Sequence, residues 1–174
     1  MVAFMRYLLA TIGSLALACE RSEAGRGDSA ATASPPVAAV NPATVTVADF
    51  QKLRWINGPW RGFMANGEKF YEWYRFLDDS TIHKTEHPDS TFGTPSGESR
   101  IMLRNGIVMD SSARSVYVAT RWDSTGADFA PRRGATNSFT WAREDTTKWN
   151  ATIRWTDKEG RAQTALYALH RFGR

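Results

Sequence analysis

The sequence is poor in cysteine, and its single thiol lies near the amino terminus. Cys19 is the one cysteine among 174 residues, so the chain forms no internal disulfide, and the region after it has no thiol to serve as a metal ligand or nucleophile. A long apolar run is missing too. The stretch from Tyr7 to Ala18 is about 12 residues long, which is too short for a membrane-spanning helix.

That short run predicts a secretory signal. Arg6 precedes it, and its length fits the apolar core of a signal peptide. Ala16 and Ala18, directly before Cys19, resemble the bacterial lipobox, although Ala16 stands where Leu is usual. The resemblance implies that residues 1–18 are removed and that Cys19 is acylated as the first residue of the mature chain.

The predicted location follows from the same segment. The acylated cysteine would anchor the protein to a membrane of the bacterial cell envelope. Glu20, the residue after it, favours the outer membrane on the periplasmic side, by resemblance to the enterobacterial sorting rule. Cleavage by the ordinary signal peptidase after Ala18, with release into the periplasm, remains the alternative.

Aromatic residues are absent from residues 20–47, which are rich in Ala, Ser, Thr and Pro. Such a segment cannot bury enough apolar surface to offset the entropy of ordering, so residues 19–47 are expected to form a flexible tether. Residues 48–174 contain all seven tryptophans and are long enough for one hydrophobic core. The net charge of +4 is spread without a run of three cations, which argues against a nucleic-acid surface.

The domain shows one short helical pattern and then alternation with a period of two. Thr46 and Asp49 form a helix-start signal, and Asn57 with Gly58 ends that helix. Eight or nine strands rich in aromatic and β-branched residues follow. The strands are predicted at 60–65, 69–77, 80–87, 98–104, 107–110, 115–122, 138–145, 149–157 and 162–172. The predicted fold is an all-β, up-and-down antiparallel barrel of 8–10 strands, in which 88–97 and 123–137 are loops that frame a mouth or hide a strand.

Residues 57–62, NGPWRG, lie between that helix and the first strand. They resemble the Gly-x-Trp signature that opens lipocalins and the wider calycin group, and small bacterial lipocalin-like domains in particular. The resemblance implies that Trp60, after Gly58, plugs one end of the barrel. It also implies that a cation from the last strand, Arg171 or Arg174, lies over the indole ring.

Alternation assigns side chains to the lumen. The face of a strand that carries long cations is expected to meet water. By this rule Lys84, and Glu86 on the same face, are predicted to point outward. The polar and aromatic side chains then predicted to face the lumen and contact a ligand are Glu72, Tyr74, His83, Thr85, Thr120, Trp122 and Trp141. Arg132 and Arg133 would form a cationic rim if their loop frames the opening.

The segment HKTEH, from His83 to His87, has the form of an inverted zinc-protease motif. That motif needs a helix, whereas on a strand the two histidines would lie about 13 Å apart, too far to share one ion. No metal site is therefore predicted. His83 is interpreted first as a hydrogen-bonded barrel residue and second as a ligand contact.

Glu72 also has two interpretations. It is either a buried carboxylate paired with an arginine or tyrosine, or a carboxylate that hydrogen-bonds a ligand or acts as an acid. The spacing places no second carboxylate beside it, and no nucleophile motif is present. The sequence therefore gives no positive signal for an enzyme.

Three functions remain from the sequence. The first is an anchored carrier of a small apolar or amphipathic ligand, and the second is a structural or stress-related envelope lipoprotein with a filled barrel. The third is haem binding, by similarity to nitrobindin barrels, which keep a histidine near the last strand. His170 is the candidate, but alternation turns it outward, so no cofactor is expected.

Overall fold

The protein forms a closed antiparallel barrel. The structure, a computed structural model, describes residues 40–173. Each strand pairs with its neighbours in sequence, and β10 closes the sheet against β1, so the predicted all-β, up-and-down barrel is confirmed. The strands are β1 (Gly58–Phe63), β2 (Lys69–Asp78), β3 (Thr81–His87), β4 (Gly97–Arg104), β5 (Ile107–Ser111), β6 (Val116–Asp123), β7 (Gly126–Arg133), β8 (Asn137–Arg143), β9 (Lys148–Thr156) and β10 (Ala162–Arg171).

The strand count of ten depends on one strand that the sequence pattern concealed. β7 lies within residues 123–137, the longer of the two predicted loops, and runs through Pro131. The turn between β4 and β5 has the residues that its geometry requires. Asn105 and Gly106 join β4 to β5 with φ angles of 50° and 77°, as a type I′ hairpin requires.

A short helical segment closes one end of the barrel. Helix α1 (Val47–Gln51) begins with a capping box between Thr46 and Asp49 and continues into a 3₁₀ turn (Arg54–Ile56). Phe50, Leu53 and Ile56 point into the core, and all three are fully buried. The predicted short helix before the first strand is confirmed, and its apolar face forms the floor of the barrel.

Trp60 plugs that end of the barrel, which is called the corked end below. Its indole is fully buried, and its Nε1 donates to the carbonyl oxygen of Ile56 at 2.6 Å. The guanidinium of Arg171 lies 4.1 Å from the ring centroid and donates to the carbonyl oxygens of Asn57 and Trp55. A Cβ at Gly58 would lie 2.7 Å from the Arg171 Nη1, so glycine there leaves space for the cation.

The segment before the helix is part of the folded unit. Ala43 donates its backbone N–H to Ala119, Val45 donates to Gly106, and Val45 is buried in the core. The folded domain therefore begins before the predicted boundary at residue 48. The predicted signal peptide, Cys19 and most of the predicted tether lie outside the described residues.

The two ends of the barrel differ in packing. At the corked end, Trp149 contacts both Trp60 and Trp141. At the opposite end, which carries the β3–β4 and β9–β10 turns, inward-facing residues such as Ile153 and Trp155 are only partly buried. The lumen is thus filled with aromatic rings at one end, while several inward-facing side chains at the other end, called the open end below, are partly exposed.

Candidate functional site

The lumen contains a buried charged cluster on its β2–β3 wall. The Lys84 Nζ lies 3.1 Å from a carboxylate oxygen of Glu72 and 3.1 Å from one of Glu86. Tyr74 donates its hydroxyl to the other oxygen of Glu72 at 2.7 Å. All four side chains are buried, so these charges interact in surroundings where water screens them weakly.

Strand pairing explains why these residues meet. Glu72 lies directly opposite Glu86, and Tyr74 lies opposite Lys84, in the β2–β3 register. Two carboxylates at directly opposed positions repel each other, and the ammonium one step along the strand bridges them. Gly97, opposite Glu86 on β4, makes room because a Cβ there would lie 2.8 Å from the Glu86 Oε2.

A third carboxylate lies on β5. Asp110 is 4% exposed, and its Oδ1 is buried without a hydrogen-bond partner among residues 40–173. Asp110 is opposite Ile101 on one side and Tyr117 on the other. A buried carboxylate oxygen without a donor is costly for a folded protein, although the Ser99 hydroxyl interacts with the same carboxyl group.

The pKa values of two members reflect this environment. Burial raises the pKa of Asp110 above its usual value, while Lys84 and the Ser99 hydroxyl oppose that rise. Burial also raises the pKa of Tyr74 well above its usual value, and the neighbouring Glu72 carboxylate adds to the effect. Tyr74 is therefore a neutral hydrogen-bond donor, and Asp110 holds its proton to higher pH than a free aspartic acid.

Four of the seven predicted lumen residues face the interior. Glu72 and Tyr74 belong to the charged cluster. Trp122 and Trp141 are buried nearer the corked end, where Trp122 stacks on Phe50 with centroids 5.1 Å apart. The pairing of Glu72 with a tyrosine follows one of the two sequence interpretations, and its cationic partner is a lysine rather than an arginine.

The assignment of β3 was wrong, because its two faces are reversed. Lys84 and Glu86 point into the lumen, where they compensate each other and Glu72, while His83 and Thr85 are on the outer face. His83 contacts Glu98 at 2.9 Å through Nε2 and Arg75 at 3.4 Å through Nδ1. The rule that cations face water fails here because buried partners replace the solvent.

The outer face of β3 is also covered, although it does not face the lumen. Phe92, in the β3–β4 loop, packs against His87 and Trp73 with centroid distances of 5.2 and 5.4 Å. Thr85 and His87 are therefore buried on the outside of the barrel, and the His87 Nε2 contacts the Thr85 hydroxyl at 2.9 Å. His83 and His87 have separate partners, and residues 40–173 contain no group of three His, Cys, Asp or Glu side chains placed to hold a metal.

The assignment of Thr120 was wrong for a different reason. A register irregularity between Ala119 and Arg121 inserts one extra residue into β6, so that Ala119 and Trp122 both face the core and Thr120 is exposed. A β-bulge of this kind cannot be read from alternation. Thr120 instead lines a groove of about 480 Å³ on the outer face, where Arg121 is paired with Asp128.

The sequence analysis missed Lys84, Glu86 and Asp110 as lumen residues. One available signal was the i, i+2 spacing of Lys84 and Glu86, which places both on the face of Ile82. Ile82 is fully buried in the core. Taking the apolar residue rather than the charged ones as the marker of the inner face would have given the right orientation.

Comparisons with known proteins leave the family open. No protein-family model matches the sequence, and no curated protein matches it. A solved structure described as a redesigned beta barrel is similar with a TM-score of 0.33 and 12% identity, over 76% of this chain and 99% of that chain. Separately, no helix within residues 40–173 has the length and apolar character needed to cross a membrane.

Proposed function

We propose that this protein is an anchored envelope carrier whose lipocalin-like barrel binds a small amphipathic ligand in its lumen. The observation that carries the proposal is Asp110, a buried carboxylate with one oxygen unpartnered inside the barrel. Unpaired buried polar groups reduce stability, and they are common where a ligand supplies the missing partner.

The shape of the lumen supports the same proposal. The helical floor, Trp60 and Arg171 close one end, and inward-facing Phe70 and Ile153 near the other end remain partly exposed. Small-molecule sites are typically concave and apolar, with a few placed polar groups. The charged cluster supplies such groups on one wall, and the aromatic residues supply the apolar surface.

The anchor is proposed from the sequence. Acylation of Cys19 would tether the barrel to the outer membrane through residues before the folded domain, with the barrel in the periplasm. Intact-mass measurement of the protein from its host membranes tests this, because a lipid-modified Cys19 adds the mass of its acyl chains and a Cys19→Ala variant does not.

A structural role is the second candidate, and one observation favours it. Trp60, Tyr74, Trp141 and Trp149 pack edge to face with centroids 5.6–6.0 Å apart, so the corked end of the lumen is already full. Haem binding finds less support than either, because the His170 ring lies against Phe63 on the outer face.

Native mass spectrometry of the full-length protein, released from its host membranes in mild detergent, separates carrier from scaffold. We expect a bound small molecule in the wild type and its loss in Glu72→Gln. The matched control is Glu98→Gln, which makes the same change on an exposed outer residue and should retain the molecule. A wild-type protein that is folded and consistently empty would contradict the carrier proposal.

A further inference from the structure

The charges of the lumen cluster do not balance. When Asp110 is ionised, Glu72, Glu86 and Asp110 carry three negative charges, whereas Lys84 is the one cation in the cluster, and it pairs with Glu72 and Glu86. Asp110 has no ion pair among the described residues. Arg171, a cation at the corked end, is held there by Trp60 and two carbonyl oxygens.

The position of Asp110 makes it available to a molecule that enters the lumen. It is the last inward-facing residue of β5 toward the open end, since β5 begins at the corked end after the Asn105 turn and ends at Ser111. Its neighbour Tyr117 donates a hydrogen bond to Asn137 at 2.9 Å, so that hydroxyl proton is already used. Asp110 therefore lies toward the open end of the lumen with one oxygen, Oδ1, that has no hydrogen-bond partner, while the Ser99 hydroxyl interacts with its carboxyl group.

We infer that the lumen selects a ligand with a cationic nitrogen, an alkylammonium or related group, which binds to Asp110 while an apolar portion lies against the aromatic wall. The inference rests on the proposed function, because it specifies the chemistry of the ligand in that same site. An anionic head group would be repelled by three carboxylates. A neutral hydroxyl could donate to Asp110, but it would leave the negative charge of the ionised carboxylate uncompensated.

Binding of the ammonium to Asp110 is coupled to the release of a proton. When the ammonium binds, a protonated Asp110 gives its proton to solvent, and the ammonium donates its N–H to the resulting carboxylate. Ammonium binding should therefore strengthen as pH rises. The groups that face Asp110 and bias this exchange are Glu72 and Tyr74 on β2, Lys84 on β3, Ser99 on β4 and Tyr117 on β6.

Calorimetric titration of the full-length protein with three eight-carbon probes tests the inference. Octylamine, octan-1-ol and octanoate share an alkyl chain and differ in the head group. We expect octylamine to bind about tenfold more tightly than octan-1-ol, because its hydrogen bond to the carboxylate is charge-assisted, and octanoate to bind most weakly. Octylamine binding should also weaken at mildly acidic pH, whereas octan-1-ol binding should not change.

Asp110→Asn is the diagnostic variant, since it keeps the shape of the side chain and removes its charge. We expect it to lose the preference for octylamine and its pH dependence while still binding octan-1-ol, which also shows that the variant is folded. Asp79→Asn, on the outside of the corked end, is the matched control and should behave as the wild type. Equal binding of all three probes, or a preference for octanoate, overturns the inference and leaves the carrier function intact. Absence of binding by every probe overturns both.

Discussion

Replacing Lys84 by methionine tests the charged cluster directly. Methionine keeps the length and apolar stem of the side chain but removes the ammonium that lies 3.1 Å from both Glu72 and Glu86. Because the side chain of Lys84 is only 4% exposed, water cannot replace the lost cation. The variant would therefore retain two opposed buried carboxylates without a counter-ion.

The expected cost follows from the two lost contacts. Removing one partner of a buried ion pair typically destabilises a protein by about 3–5 kcal/mol, and two charge-assisted hydrogen bonds at about 1.5–3 kcal/mol each give a similar sum. For a folded unit of this size, that corresponds to a fall in Tm of roughly 10–20 °C.

Urea unfolding at neutral pH measures this effect. Lys148→Met is the matched control, since Lys148 forms its ion pair with Glu144 at the surface, where such pairs contribute about 0–1 kcal/mol. A Lys84→Met variant as stable as the wild type at neutral pH would refute the placement of Lys84 between two buried carboxylates.

Three further predictions use the same unfolding measurement. Because burial raises the folded-state pKa of Asp110, the wild type should lose stability as pH rises through that pKa. Asp110→Asn should therefore be more stable than the wild type at high pH and equally stable in acid. A stability difference that does not change with pH would contradict this. Arg171→Lys keeps the charge but loses the guanidinium fork, and it should cost about 2 kcal/mol, whereas the same change at exposed Arg154 should be neutral. Gly106→Ala should cost about 1 kcal/mol or more, since Gly106 has a φ of +77°; an unchanged urea midpoint would show that the turn tolerates a side chain.

The architecture was predictable because it is determined by local signals that agree with one another. Period-two alternation, the capping box at Thr46 and the Asn105 turn each specify a short stretch of backbone. The strand order then follows from short connections between antiparallel neighbours. The cork was predictable for another reason: Trp60 and Arg171 are a pair whose positions in the chain, at the start and end of the barrel, bring them together on closure.

The lumen cluster was not predictable in the same way, because it depends on which face of one strand turns inward. On β3 the alternation has two solutions, one with Lys84 and Glu86 inside and one with His83 and Thr85 inside. Polarity alone favours the second. The first is realised because Glu72 and Tyr74, on the neighbouring strand, supply partners that only the folded register reveals. The same limit applies at Thr120, where a bulge changes the register by one residue.

The energetics of the cluster favour binding over a purely structural role. A core that only holds the barrel together gains little from three carboxylates around one ammonium, since apolar residues of similar volume are often as stabilising or more so. The corked end shows that this chain can fill its interior with aromatic rings. Toward the open end it instead places Asp110, one oxygen of which is buried without a hydrogen-bond partner, an arrangement that costs stability. A binding site that costs stability without its ligand and regains it when a cation binds is expected of a carrier. The same carboxylate is then responsible for both properties, so Asp110→Asn should gain stability and lose the preference for an amine together.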